Sequence, residues 1–142
     1  MEKFVGKWEL AENAGDMRSY LRHLNTSESD IEQFSSILTD IGKLCQQAVL
    51  EGDDDLLVTV IHDGEVLDED HLKLGTNFEA KTHDGRDIIY STTIDGGVLT
   101  IIESGAYEAT TIMEVEGDAL YSKLIAGKGD NSIVVERKYI RV

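Results

Sequence analysis

The sequence contains no proline and only one cysteine, Cys45. A lone cysteine cannot form an internal disulfide, so a small secreted disulfide scaffold is excluded and a reducing compartment is expected. Proline commonly marks linkers, and neither a linker nor an internal repeat interrupts the 142 residues. Because a chain of this length can bury a sizeable core by itself, we expect a single domain over residues 1–142.

Basic residues are also scarce. The 13 lysines and arginines stand against 28 aspartates and glutamates, which gives a net charge of −15. A nucleic-acid-binding protein needs clustered Lys and Arg to neutralise phosphates, so no nucleic-acid partner is expected. No run of about eighteen apolar residues is present, and the first residues lack the apolar segment of a secretory signal. We therefore expect a soluble, cytoplasmic protein.

Motifs for metal binding and catalysis are missing as well. None of the four histidines stands at a metal-ligand spacing, and the run Asp53–Asp55 lacks the alternating ligands of a calcium loop. The serines lack the sequence context of a nucleophile elbow. The sequence thus predicts no metal, no cofactor and no enzymatic activity.

Two short helices are predicted near the start of the chain. Apolar residues recur at the spacing of one helix face at Met17, Tyr20, Leu21 and Leu24. The segment Ser29–Glu32 has the form of a capping box, which predicts the start of a second helix ending at Gly42. The apolar stripe of that second helix comprises Ile31, Phe34, Ile37, Leu38 and Ile41. We expect the helical segment to cover about residues 14–42.

After this segment the pattern changes to short strands, separated by Gly and Asp turn signals at intervals of roughly ten residues. Ten strands are predicted, at 4–11, 43–51, 56–62, 66–73, 77–82, 87–94, 98–103, 107–115, 119–126 and 132–141. Successive hairpins build an up-and-down meander, and closure of the meander removes its exposed edges. The prediction is an all-β fold, a ten-stranded up-and-down antiparallel β-barrel with a two-helix lid between the first two strands. A barrel of this size can hold a ligand.

The last predicted strand contains a candidate polar site. Period-two alternation puts Val135, Arg137, Tyr139 and Arg141 on one face of this strand. The guanidinium fork of Arg137 and the hydroxyl of Tyr139 could converge on one small polar group, and this pairing suits a carboxylate. A surface strand with ordinary charges is the alternative interpretation.

Five short motifs, in order along the chain, resemble those of one protein family. They are Phe4–Trp8 as Phe-x-Gly-x-Trp, Leu74–Phe78 as Leu-Gly-x-x-Phe, Asp84–Arg86, Thr93–Gly97, and Arg137–Tyr139 as Arg-x-Tyr. Together they make the chain similar to the intracellular lipid-binding proteins, the fatty-acid-binding and cellular retinoid-binding family. The resemblance implies a calycin-like barrel around an internal cavity, a helical lid that forms the portal, a lipid ligand, a monomer and no catalysis.

The resemblance also implies where the ligand binds. Arg137 and Tyr139 match the family's carboxylate-binding motif. Family members with a fatty-acid site usually carry a second arginine on another strand, and counting along the chain places Glu114 at that position. We expect Glu114 and Ile112 to share the inward face by alternation. Glu114 would then neutralise Arg137.

Further contacts are expected at the hairpin of Asp84 and Arg86, which we expect to oppose each other's charge, and on the lid at Tyr20 and Leu21. The lid also carries Arg18 and Arg22. A transient contact of this cationic stripe with an anionic membrane is one hypothesis. A solvated helix face is the plainer one.

Two ligand hypotheses stay open. The first is a long-chain fatty acid with its head group near Arg137, Tyr139 or Arg86, favoured because the Arg-x-Tyr pair is retained. The alternative is a neutral lipid or a retinoid, because Glu114 replaces an anchoring arginine. Two weaker alternatives from other classes are a protein-interaction module with a filled barrel and a lipid-modifying enzyme.

Overall fold

Ten strands and two helices make up the fold in the computed structural model, which describes residues 1–142. The strands are β1 Gly6–Ala14, β2 Leu44–Gly52, β3 Asp55–His62, β4 Glu65–Lys73, β5 Gly75–Lys81, β6 Asp87–Asp95, β7 Val98–Gly105, β8 Ala109–Glu116, β9 Ala119–Ala126 and β10 Ile133–Arg141. The helices α1 Met17–His23 and α2 Glu28–Leu38 both lie between β1 and β2.

All ten strands belong to one antiparallel sheet in the order β4-β3-β2-β1-β10-β9-β8-β7-β6-β5. Every connection except that across the lid and that between β4 and β5 is a hairpin. Turns such as Asp63–Gly64 adopt the positive φ angles, 51° and 84°, that two-residue hairpins require. Pairing of the first strand with the last curls the meander into a nearly closed barrel. The predicted architecture is confirmed.

The barrel has one seam, between β4 and β5, where no strand pairing occurs. Tyr90 on β6 bridges it, because its hydroxyl donates to the carbonyl of His71 at 3.0 Å and accepts from the amide of Lys73 at 3.3 Å. Both partners lie on β4. A side chain therefore replaces part of the missing backbone ladder.

The lower part of the barrel is filled by side chains. Trp8 and Leu10 are fully buried, and the Trp8 indole Nε1 donates to the carbonyl of Phe4 at 3.0 Å. Leu99 of β7 and Leu120 of β9 belong to the same cluster. Each fully buried leucine of this kind stabilises the fold by about 1.5–3 kcal/mol.

The lid packs over one end of the barrel. Tyr20 and Leu21 of α1 and Ile31 of α2 are buried in one cluster with Ala126 of β9 and Val135 of β10. The apolar stripes predicted for both helices therefore face the barrel, although the second stripe ends earlier than predicted.

The boundaries of α2 differ from the prediction. Ser27 caps the helix, since its backbone is extended and its hydroxyl accepts from the amide of Asp30 at 3.2 Å, so the predicted cap at Ser29 is wrong. The helix ends at Leu38, where the Thr39 hydroxyl bonds back to the carbonyl of Ser35 at 2.9 Å. Ile41 lies beyond that end and is 56% exposed, so it is not part of the stripe.

No helix in this chain combines the length and the apolar character needed to cross a bilayer.

Candidate functional site

Arg137 lies on the inner face of β10, between the buried side chains of Val135 and Tyr139. It is only 7% exposed, and its Cζ atom lies 5.5 Å from the centroid of the Tyr139 ring. No ion pair of the protein includes Arg137, and its Nε atom is buried without a hydrogen-bond partner in the chain. A buried cation without a carboxylate partner is costly, so the site favours an anion or a strong acceptor.

The one hydrogen bond of the Arg137 guanidinium connects the barrel to the lid. Its Nη2 atom donates to the backbone carbonyl of Leu38, the last residue of α2. The Leu38 side chain lines the portal cavity described below. The guanidinium is therefore one residue away from that cavity.

Two further polar residues flank Arg137 on neighbouring strands. Ser122 of β9 and Asn13 of β1 are its direct cross-strand partners, so all three side chains share the inner face. The Asn13 Oδ1 atom is buried and has no hydrogen-bond partner in the chain. Neither Ser122 nor Asn13 is among the site residues predicted from the sequence. Alternation along β9 could have indicated Ser122, but a register shift between Leu10 and Glu12 alters the phase of β1.

Glu114 does not face Arg137. Glu114 is exposed and pairs with Tyr121 of β9, which is 42% exposed, so it lies on the outer face of the barrel. Ile112 lies on the same outer face and pairs with the exposed Lys123. The inward position is Met113, which is buried and pairs with Ser122. The predicted inward orientation of Ile112 and Glu114 is therefore wrong, because counting along the motif assigned the strand the opposite phase.

As a result, the inner face of β8 carries no charge. Its residues are Ala109, Thr111, Met113 and Val115. A second inward arginine is absent from this strand, and Glu114 does not neutralise Arg137 as predicted.

Asp84 and Arg86 lie in the turn between β5 and β6, at the edge of the lid. Their side chains form an ion pair, with Arg86 Nε at 3.0 Å from Asp84 Oδ2, as predicted from their opposed charges. Hydrogen bonds from the Thr82 hydroxyl and from Arg86 lower the pKa of Asp84. Arg86 Nη1 also donates to the carbonyl of Leu24, at 2.6 Å, and so ties the loop between the helices to the barrel.

Two cavities lie beneath and beside the lid. The portal cavity, of about 230 Å³, is lined by apolar side chains of both helices and by the Asp84–Arg86 pair. The seam cavity, of about 280 Å³, lies at the opening between β4 and β5. Both are lined by Asp68, Thr82, His83 and Tyr107, so they adjoin each other. Leu21 lines the portal cavity, whereas Arg137, Tyr139 and Tyr20 line neither.

The seam cavity has acidic walls, which the sequence analysis did not predict. Glu103 continues the inward series of Leu99 and Ile101 on β7, and its Oε2 accepts from the Tyr107 hydroxyl at 2.7 Å. Burial raises the pKa of Glu103, and the bond from Tyr107 partly opposes this. Burial and the neighbouring charge of Asp68 raise the pKa of Asp70 to about 6.

Tyr20 is a buried residue of the lid helix α1. Burial raises the pKa of its hydroxyl, the charge of Glu103 adds to this effect, and the charge of Arg137 opposes it.

The cationic stripe of α1 is neutralised within the lid. Arg22 Nε lies 3.0 Å from Glu28 Oε1, and Arg18 Nη2 lies 3.9 Å from Glu32 Oε1. Each arginine has a carboxylate partner on α2, which gives the hypothesis of membrane contact no support.

Comparisons with known proteins identify the fold. No family model and no curated protein sequence matches the chain. Among solved structures, a Schistosoma mansoni fatty acid binding protein in complex with arachidonic acid is 21% identical with a TM-score of 0.78, covering 100% of this chain and 98% of the other. A Drosophila melanogaster brain fatty acid-binding protein is 25% identical with a TM-score of 0.77, covering 96% and 98%.

A zebrafish ileal bile acid-binding protein complexed with cholic acid is 23% identical with a TM-score of 0.70, covering 99% of both chains. The chain therefore has the fold of the fatty-acid-binding and bile acid-binding proteins. This agrees with the resemblance of its motifs to the intracellular lipid-binding protein family.

Proposed function

We propose that the protein is a non-enzymatic, cytoplasmic, monomeric carrier of a long-chain fatty acid, whose carboxylate binds near Arg137 and Tyr139. The observation that carries the proposal is the buried guanidinium of Arg137, which is 7% exposed and has no carboxylate partner in the chain. An incoming carboxylate would supply the missing negative charge through charge-assisted hydrogen bonds.

The tail of the fatty acid would supply most of the binding free energy. Each buried methylene contributes about 0.8 kcal/mol, and the portal cavity offers apolar walls from Leu21, Phe34 and Val60. Leu38 lies on the path between this cavity and Arg137, since its side chain lines the cavity and its carbonyl contacts the guanidinium. The arachidonic acid bound to the Schistosoma protein of the same fold supports this ligand class.

A neutral lipid or a retinoid is a second candidate, and the structure gives it a new basis. Glu103 and Asp68 line the seam cavity, and the inner face of β8 offers no second cation. An acidic wall repels a carboxylate but accepts a hydrogen bond from a hydroxyl group. Arg86 is an alternative anchor for a head group, although Asp84 already occupies it.

Titration of the delipidated protein with oleic acid and with oleyl alcohol separates the two candidates. The chains are equal in length, so the tail contribution is the same for both ligands. The proposal predicts that oleic acid binds about tenfold or more tightly, since hydrogen bonds to a charged group contribute about 1.5–3 kcal/mol. Equal affinities would remove the carboxylate anchor, and no binding of either ligand would favour a module with a filled barrel.

A further inference from the structure

We propose that Arg137 is a latch, through which a bound carboxylate releases the last turn of α2 whereas a bound alcohol does not. The proposal rests on the proposed function, because it concerns the same guanidinium. It adds a coupling between the head group of the ligand and the lid.

The end of α2 depends on a cation supplied by the barrel. The last carbonyls of a helix have no partners within the helix and carry its partial negative charge. The last turn of α2 contains no basic residue of its own. The Nη2 atom of Arg137, 99 positions further along the chain, donates to the carbonyl of Leu38 instead.

The geometry of a guanidinium makes this contact compete with a carboxylate. The hydrogens of Nε and Nη2 point from the same edge of the planar group, and a carboxylate binds such an edge with both oxygens. The Leu38 carbonyl occupies Nη2, while the buried Nε has no partner in the chain. Nη2 has a second hydrogen, but a carboxylate bound to Nε and Nη2 would lie beside the Leu38 carbonyl oxygen at the negative end of α2. Repulsion between these oxygens favours departure of the Leu38 carbonyl.

A hydroxyl group needs only one donor of the Arg137 guanidinium. It brings one acceptor oxygen, which can take the hydrogen of Nε while Leu38 keeps Nη2. Its own hydrogen can be donated to the Oδ1 atom of Asn13, which is buried without a partner across from Arg137. The alcohol thus leaves the latch closed.

Release would affect the last turn of the helix and not the whole lid. Ile31 holds the first half of α2 in the buried cluster of the lid, and Ser27 caps its start. Movement of Leu38 would widen the portal cavity toward Arg137, because its side chain lines that cavity. The conformation of the last turn of α2 would then depend on whether the bound head group is a carboxylate.

Amide hydrogen exchange on the delipidated protein, alone and saturated with oleic acid or oleyl alcohol, tests the latch. Oleic acid should accelerate exchange at residues 37–42 about tenfold, which corresponds to loss of about 1.4 kcal/mol of local stability. Oleyl alcohol should leave these amides unchanged. Amides near Ile31 should not respond to either ligand.

Two variants without ligand extend the test. Arg137→Gln should give the fast exchange at residues 37–42 before any ligand is added. Arg18→Gln is the matched control, because it removes an arginine that contacts α2 at Ser35, 3.3 Å away, and not at its last carbonyl. It should leave exchange at residues 37–42 slow.

Affinity measured on the same samples separates the possible failures. If oleic acid binds tightly and residues 37–42 do not respond, or respond equally to the alcohol, the latch is refuted and the fatty-acid site stands. If oleic acid does not bind, the proposed function has failed and the latch fails with it. Equal exchange in the Arg137→Gln and Arg18→Gln proteins would also refute the latch.

Discussion

Replacing Arg137 by methionine should weaken fatty-acid binding and strengthen the fold at the same time. Methionine is apolar and flexible enough to fill the space of the arginine stem. The side chain is 7% exposed, so the substitution removes a charge that is almost fully shielded from water and has no carboxylate partner. Opposite effects on binding and on stability are the signature of a residue kept for function.

Both magnitudes follow from the contacts of the guanidinium. Loss of hydrogen bonds to a carboxylate should weaken oleic acid by about 1.5–3 kcal/mol, or about tenfold to 150-fold in Kd, and oleyl alcohol by much less. Removal of a buried, unpaired charge recovers several kcal/mol of desolvation, while the Leu38 carbonyl loses a donor worth about 1–3 kcal/mol. We expect the free energy of unfolding to rise by about 1 kcal/mol.

Urea unfolding of the delipidated protein and fluorescence titration with both ligands measure these effects. Arg141→Met is the matched control, because Arg141 lies on the same face of β10 but packs over Trp8, at 4.1 Å, and donates to the carbonyl of Val5 at 2.7 Å. The control should lower stability and affect both ligands equally. An Arg137→Met protein that is destabilised and binds oleic acid normally would contradict the assignment of Arg137 as a carboxylate anchor that lowers the stability of the fold.

Three other predictions concern the seam and its acidic wall. Tyr90→Phe should lower the free energy of unfolding by about 1–2 kcal/mol, since two hydrogen bonds across the seam are lost, whereas the exposed Tyr121→Phe should change it by less than about 0.5 kcal/mol; equal thermal shifts would contradict the bridge. Asp70 has its pKa raised from 3.8 to about 6, so its stabilising contribution is complete below the lower value and is lost as pH rises through the upper one. Asp70→Asn should therefore become more stable relative to the natural protein as the pH rises from 3.8 to about 6. Solvent screening of this partly exposed side chain reduces the size of the gain. A difference in urea midpoints that does not change with pH would argue against this prediction. Glu103→Gln should tighten the binding of oleic acid by roughly fivefold, because a nearby like charge is removed, and should not affect oleyl alcohol. Unchanged titration curves would show that Glu103 does not act on the bound carboxylate.

The sequence indicated the fold because turn residues and strand alternation are local signals. Regularly spaced Gly and Asp turns predicted the meander, and the long uninterrupted alternation of β10 correctly placed Arg137 inward. The orientation of Glu114 was wrong because a short motif was used to count residues, whereas the phase of β8 is set by the burial of Ala109 and Met113.

Other features could not be predicted because they depend on contacts distant in sequence. The register shift in β1 decides that Asn13 faces Arg137, and no local pattern indicates it. The end of α2 at Leu38 is completed by an arginine of the last strand. The acidic seam was missed, although alternation after Leu99 and Ile101 predicts an inward Glu103.

The most direct test of fatty-acid binding at Arg137 is extraction and mass spectrometry of the lipid that co-purifies with the protein. We expect a long-chain fatty acid at close to one molecule per chain, depleted by the Arg137→Met substitution. A neutral lipid as the bound species, or fatty acid retained equally by the Arg137→Met protein, would contradict it.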